Sequence, residues 1–180
     1  MGRKYRHSIR KRYQSCAISN IVKKYSAGIT YINIADYQFE IKQEVVEALQ
    51  NNAQHNGNEM CGVLTGVQVG NNCYRICKVS PPCVKRNTRY GCERDAVTAN
   101  RFIEEDYKNS EHTRFYIGEW HTHPENIPTP STIDYRSIKE NFQTASLVVP
   151  FLIMIIVGIQ SSYICVYNGK DFVEVQPKIV

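Results

Sequence analysis

Two histidines one residue apart, in His121-Thr122-His123-Pro124, constrain the fold of this chain more than any other stretch. Side chains on an extended backbone alternate with a period of two, so His121 and His123 share a face only on a strand, with Thr122 pointing the other way. The preceding Arg114-Phe115-Tyr116-Ile117-Gly118-Glu119-Trp120 is aromatic and β-branched enough to be that strand, and Pro124 ends it. Seven residues, Pro124 to Pro130, separate His123 from Ser131, and Asp134 follows three positions later at the start of an expected helix. A carboxylate there could meet both imidazoles.

Two neutral imidazoles and one carboxylate suit zinc, with the fourth tetrahedral position left for water. A closed structural site would more often use four protein ligands including cysteine, and no cysteine lies in this stretch. Zinc lowers the pKa of water to about 7, which provides a nucleophile at neutral pH. Each element also has a plainer explanation. Ser131-x-x-Asp134 is a helix N-cap with an acidic third residue, and a lone histidine at a strand end is more often a surface or hydrogen-bonded residue than a ligand. The conjunction of all four positions favours ligation, and capping can coexist with it.

His-Thr-His, seven residues, then Ser-x-x-Asp resembles the motif of JAMM (MPN-plus) metalloproteases, which also require an upstream glutamate in a Glu-x-x-Gly-x-Leu-x-Gly context. Glu59-Met60-Cys61-Gly62-Val63-Leu64-Thr65-Gly66 fits that context, and the resemblance runs from Phe39 to Val175. It implies an α/β fold: one MPN/JAMM-like domain with a mixed sheet sandwiched by two or three helices. It also implies one zinc ion per chain held by His121, His123 and Asp134, with Glu59 as general base and Ser131 as the hydroxyl that stabilises the oxyanion.

The length of 180 residues, 42% of them hydrophobic and 22% charged, suits one domain with a sizeable core. The net charge of +5 is concentrated at the start, where residues 1–24 hold eight Lys and Arg and no acid. This basic arm is expected to be solvated and flexible, with the metalloprotease domain over residues 25–180. Met1 to Tyr13 lacks an apolar stretch of the kind that follows a secretory n-region, so a cytoplasmic location is expected. Seven cysteines in a chain of this size point to reduced thiols. The spacing of Cys73, Cys77, Cys83 and Cys92 lacks the paired knuckles of zinc ribbons, which argues against a second metal.

Ser19 to Ile34, around Gly28, reads as one or two strands. Ile41, Val45, Val46, Leu49 and Ala53 recur at helical spacing, and Asn56-Gly57 closes that segment. Met60 to Val69 reads as a strand with Glu59 at its start, Gly70-Asn71-Asn72 as a turn, and Cys73 to Val79 as the hairpin partner. Arg94 to Tyr107 is a second amphipathic helix, and Ile133, Ile138 and Phe142 mark a third. Leu147 to Ile159 is a run of 13 mostly apolar residues, too short against the ~20 that cross a bilayer. It is expected as a strand buried on both faces at the sheet's centre, followed by a hairpin over Ser161–Tyr167 and Asp171–Val175.

Within the JAMM family, the wording Gly118-Glu119-Trp120-His121-Thr122-His123-Pro124-Glu125 most resembles bacterial standalone peptidases, nearest those of CBASS antiphage operons. That resemblance implies cleavage after an extended C-terminal protein tail held by strand addition. The tail would belong to a ubiquitin-like protein or to a conjugated CBASS nucleotidyltransferase; processing of a sulfur carrier is the alternative. An idle MPN scaffold is disfavoured by the complete ligand set. A nucleic-acid module using Tyr5, Tyr13 and the basic arm lacks any accompanying nucleic-acid motif.

Overall fold

The computed structural model describes residues 32–180, so the basic arm and all but the end of the Ser19–Ile34 stretch lie outside the described residues. Ile34 itself sits in a 3-10 turn, Ile34–Asp36, rather than in a strand. Strand β1 is Gln38–Ile41 and helix α1 is Gln43–Gln50. Ile41 matched the helical spacing but belongs to β1, where it pairs with Ile76 and Ile179; tertiary strand pairing overrides the local pattern. Strands β2 (Cys61–Gly70) and β3 (Cys73–Val79) form the expected hairpin, with Asn72 at φ 54° in its turn.

Strands β4 (Val84–Thr88) and β5 (Gly91–Arg94) make a small separate two-stranded sheet that the sequence pattern did not suggest. Helix α2 (Ala96–Asn109) is capped by Asp95, whose carboxylate accepts from the Thr98 N–H. Its burial differs from the amphipathic pattern, with Val97 exposed and Asp106 buried. Asp106 accepts from Thr65 Oγ1 and both forks of Arg114 and pairs with Lys78, so it fastens α2 to the sheet with its charge compensated.

Strand β6 (Phe115–Thr122), helix α3 (Thr132–Thr144), β7 (Leu152–Val157), β8 (Ser162–Tyr167), β9 (Phe172–Glu174) and a short β10 (Lys178–Ile179) complete the chain. The main sheet has eight strands in the order β10-β1-β3-β2-β6-β7-β8-β9. It is mixed: β1–β10, β1–β3 and β6–β7 are parallel and the other pairs antiparallel. Strand β7 is buried along its whole length, as expected, but lies one strand beyond the central β2–β6 pair. The crossover through α3 lays β7 parallel beside β6, and the β8–β9 hairpin then extends the sheet past it.

Alternate residues of β7 serve the two layers. Ile153, Ile155 and Val157 pack with Val45 and Leu49 of α1, and Leu152, Met154 and Ile156 pack with Ile138 of α3. Fully burying one such aliphatic side chain is worth about 1.5–3 kcal/mol. One helix therefore covers one face, while α3 and α2 cover the other, where Ala99, Phe102 and Ile103 meet Val63 and Tyr116. The α/β fold with a mixed sheet and three helices is thus as expected, counting helices among the described residues.

The glutamate-bearing motif is explained by packing. A Cβ on Gly62 would stand 2.3 Å from Ser80 Oγ and 2.5 Å from Trp120 Nε1, and one on Gly66 would stand 2.3 Å from the Arg75 carbonyl. Only glycine fits both positions. Leu64 between them is fully buried.

Candidate metal centre

His121 and His123 leave the end of β6 on one side of the backbone, while Thr122 turns inward, its hydroxyl accepting from the Met60 N–H at 2.9 Å. The His123 N–H donates to the Val157 carbonyl, which ties the second histidine to the end of β7. Asp134 approaches from the first turn of α3 and completes a triangle. Its edges are His121 Nε2 to His123 Nε2 at 3.2 Å, His121 Nε2 to Asp134 Oδ1 at 3.3 Å, and His123 Nε2 to Asp134 Oδ2 at 3.6 Å. Ligand atoms about 2.0–2.1 Å from a tetrahedral ion stand about 3.3 Å apart, so the triangle is the size zinc requires. It is the one group of three potential metal-ligating side chains found among the described residues. Cys73, Cys77, Cys83 and Cys92 form no such group.

The protonation states suit ligation. Burial and the neighbouring His121 charge depress the His123 pKa below its usual value, outweighing Asp134 and Glu125. For Asp134, burial alone would raise the pKa, but the His121 contact and the Ser131 hydrogen bonds outweigh it and hold the carboxyl at about 2. A neutral imidazole and an ionised carboxylate are the forms that bind metal. Glu125 Oε2 lies 3.8 Å from His123 Nδ1, where it favours the proton on Nδ1 and leaves Nε2 to face the centre.

Ser131 is the N-cap of α3. Its Oγ accepts from the Asp134 N–H at 3.3 Å, and its own N–H donates to Asp134 Oδ2 at 2.6 Å, closing a capping box. Capping coexists with the place of Asp134 in the triangle. A hydroxyl has one donor and two acceptor sites, so accepting in the cap leaves the Ser131 O–H free to donate elsewhere.

Glu59 is buried just ahead of β2 and held by its backbone. Its N–H donates to the Thr88 carbonyl of β4 at 2.8 Å, and its carbonyl accepts from Asn87 Nδ2 at 2.7 Å. Burial raises its carboxyl pKa to about 7; His121 works against this, while Asp134 and Glu125 reinforce it. Glu59, His121, His123, Ser131 and Asp134, the five residues singled out from the sequence, all line one cleft of about 610 Å³.

Sequence reasoning missed the cleft's other wall, which is β5. Cys92 of β5 is bonded to Cys61 of β2 as a disulfide, which corrects the expectation of wholly reduced thiols. The β4–β5 hairpin folds across the start of β2 and brings together two cysteines 31 positions apart. Cys73, Cys77, Cys83 and Cys165 are free. Also missed were Arg94, Glu119 and Asn141, which meet at the back of the same cleft.

Three side chains that could hold a metal ion, with a buried carboxylate in the same cleft at the strand ends of a mixed α/β fold, make this a domain with a candidate metal site. Residues 42–169 match the family model of prokaryotic homologs of the JAB domain, and the chain belongs to that family. Two relatives are both named CD-NTase/cGAS isopeptidase. The one from Vibrio cholerae serotype O1 is 33% identical over 116 residues, 63% of this chain and 64% of that protein. The one from Escherichia coli strain TW11681 is 30% identical over 156 residues, 84% of this chain and 96% of that protein. The fold is similar to the solution structure of protein DSY2949 from Desulfitobacterium hafniense, with a TM-score of 0.57 at 18% identity over 79% of this chain and 92% of that one.

Proposed function

We propose that this chain is a zinc-dependent isopeptidase or peptidase that cuts after the C-terminal tail of a conjugated protein, the tail being that of a CBASS nucleotidyltransferase. The observation that carries this reading is the buried Glu59, with its pKa near 7, in the same cleft as the His121, His123 and Asp134 triangle. Zinc held there supplies Lewis acidity to a scissile carbonyl and acidifies water. Glu59, poised near neutral pH, takes the proton from the attacking water and passes it to the leaving amine. The free Ser131 O–H donates to the oxyanion that develops on the carbonyl.

Strand β5 supports an extended substrate. One of its edges pairs with β4, the other pairs with no strand among the described residues, and Gly91 to Arg94 line the cleft. An open edge beside a hydrolytic centre favours a flexible tail added as a strand over a folded surface. The names of the two relatives support a nucleotidyltransferase tail. No helix among the described residues is long and apolar enough to cross a membrane. Incubating the enzyme with cargo fused after a nucleotidyltransferase tail from the same operon, and with a ubiquitin fusion, tests the substrate by mass spectrometry. Release from the nucleotidyltransferase fusion alone is expected. Cutting of ubiquitin alone, or of a sulfur-carrier fusion alone, would move the assignment to that substrate class.

Replacing Ser131 tests its two roles separately. Ser131→Ala removes both the cap and the donor, whereas Ser131→Asp keeps a capping oxygen but has no donor when ionised. Both variants are expected to lose about a hundred- to a thousand-fold in turnover. Only the alanine variant is expected to lose about 0.5–2 kcal/mol in urea denaturation. Full activity in Ser131→Asp would leave Ser131 as a cap alone.

A further inference from the structure

The carboxylate of Glu119 is buried and fully used. Its Oε1 accepts from Tyr116 Oη at 2.8 Å and from Arg94 Nη2 at 2.6 Å, and its Oε2 accepts from Asn141 Nδ2 at 2.9 Å. Tyr116 and Glu119, three apart on one strand, can face the same way because β6 carries an extra residue, Ile117, between the Tyr116–Thr65 and Gly118–Leu64 pairs. A buried carboxylate costs desolvation that three donors only offset, and an apolar pair of the same shape would do as well for stability alone. Its position therefore needs another reason.

Glu119 and His121 are two apart on β6 and share a face. Asp134 and Asn141 are seven apart on α3, two turns of helix, and also share a face, to within about 20°. Strand and helix are thus joined by two rungs, His121 to Asp134 at 3.3 Å and Glu119 to Asn141 at 2.9 Å. Beyond the contacts among the ligands, no other hydrogen bond joins α3 to β6 among the described residues. With the first rung alone, α3 could pivot about the packing of Ile138, and Asp134 would swing relative to the imidazoles. The second rung fixes the rotation and register of α3. Through Arg94, the same carboxylate also anchors the end of β5, the cleft's far wall.

We propose that Glu119 is a positioning residue for the metal centre, holding the Asp134 helix against the histidine strand through Asn141. The inference rests on the metal-site reading above. Asn141→Asp sets a second carboxylate against that of Glu119 and breaks the rung. The exchange Glu119→Gln with Asn141→Asp restores a hydrogen bond with its donor reversed and keeps one negative charge for Arg94. Asn141→Leu removes the rung without adding charge and serves if the aspartate variant does not fold.

The readouts on the full chain are zinc affinity, by competition with a chromogenic chelator, and the d–d absorption of the cobalt-loaded protein. Partners that orient metal ligands typically contribute 10- to 100-fold in affinity. About tenfold weaker zinc binding and an altered cobalt spectrum are expected in Asn141→Asp and Asn141→Leu, with both returning toward wild type in the exchange. Unchanged affinity and spectrum in either folded single variant would overturn the proposal, as would a loss that the exchange fails to recover. If the wild-type chain takes up no zinc, the metal reading itself fails and this inference falls with it. If wild type and variants bind zinc alike, only the role of Glu119 fails.

Discussion

Glu59→Gln is expected to lower turnover by about a hundred- to ten-thousand-fold with zinc content unchanged, and to make the metal-free protein more stable at pH 8. The first effect follows from removing the group proposed to accept and return a proton in each cycle. The second follows from burial. In the folded chain the Glu59 carboxyl keeps its proton up to about pH 7, whereas unfolding returns it to its ordinary value of 4.5. Between these values the folded state binds more protons than the unfolded one, so stability falls as pH rises through that window, and the deficit is complete above it. The gap corresponds to roughly 3 kcal/mol, which a neutral glutamine does not lose. Urea denaturation in chelator at pH 4 and pH 8 measures it, and the advantage of the variant is expected only at the higher pH. Zinc lost from Glu59→Gln would make Glu59 a ligand. An equal advantage at both pH values would show that the folded-state proton is not the cause.

The other large effect concerns the triangle. His121→Ala and His123→Ala, singly or together, are expected to take zinc from one ion per chain to near none, and to abolish hydrolysis while the sheet stays folded. The buried apolar clusters that hold the sheet, built on Leu64, Ile76, Ile153 and Ile155 and on Leu152, Met154 and Ile156, include none of the ligands. Chelation is expected to act in the same way. Added zinc should raise the melting temperature of wild type by mass action and leave that of the double variant unmoved. Elemental analysis and thermal scans with and without zinc check both points. Full metal retention in the double variant would remove His121 and His123 from the ligand set.

The triangle was legible because its geometry is local: a period of two on a strand places His121 and His123, and a capping box places Asp134. The β2–β3 hairpin announced itself through Gly70-Asn71-Asn72, and the β8–β9 hairpin through the strand patterns of Ser161–Tyr167 and Asp171–Val175. The β4–β5 hairpin did not. Val84-Lys85-Arg86-Asn87-Thr88 has no apolar alternation, and the hairpin is held by Lys85 and Arg86 on Glu93 and by the Cys61–Cys92 bond, none of which leaves a periodic trace. Strands β1 and β10 owe their state to parallel pairing with distant partners, which short segments such as Lys178–Ile179 do not advertise. Glu119 was visible only as a charged residue inside a strand. A carboxylate two positions before a ligand, on the ligand's own face, is the signal that could have found it.

The proposed general base and the proposed metal ligands hang from different parts of the molecule. His121 and His123 belong to a strand flanked on both sides within the eight-stranded sheet, whereas the main chain of Glu59 is suspended from a two-stranded ribbon. Ribbons of two strands are marginal on their own. Transient opening of this one would withdraw Glu59 and leave the His121, His123 and Asp134 triangle in place, so on the proposed mechanism the free energy of that local fluctuation would set the fraction of molecules ready to react. The covalent tie between Cys61 and Cys92 crosses the seam where such opening would begin, and it shortens the excursion the ribbon can make. With Glu59 as the base, catalytic readiness would depend on a bond that takes no part in the chemistry.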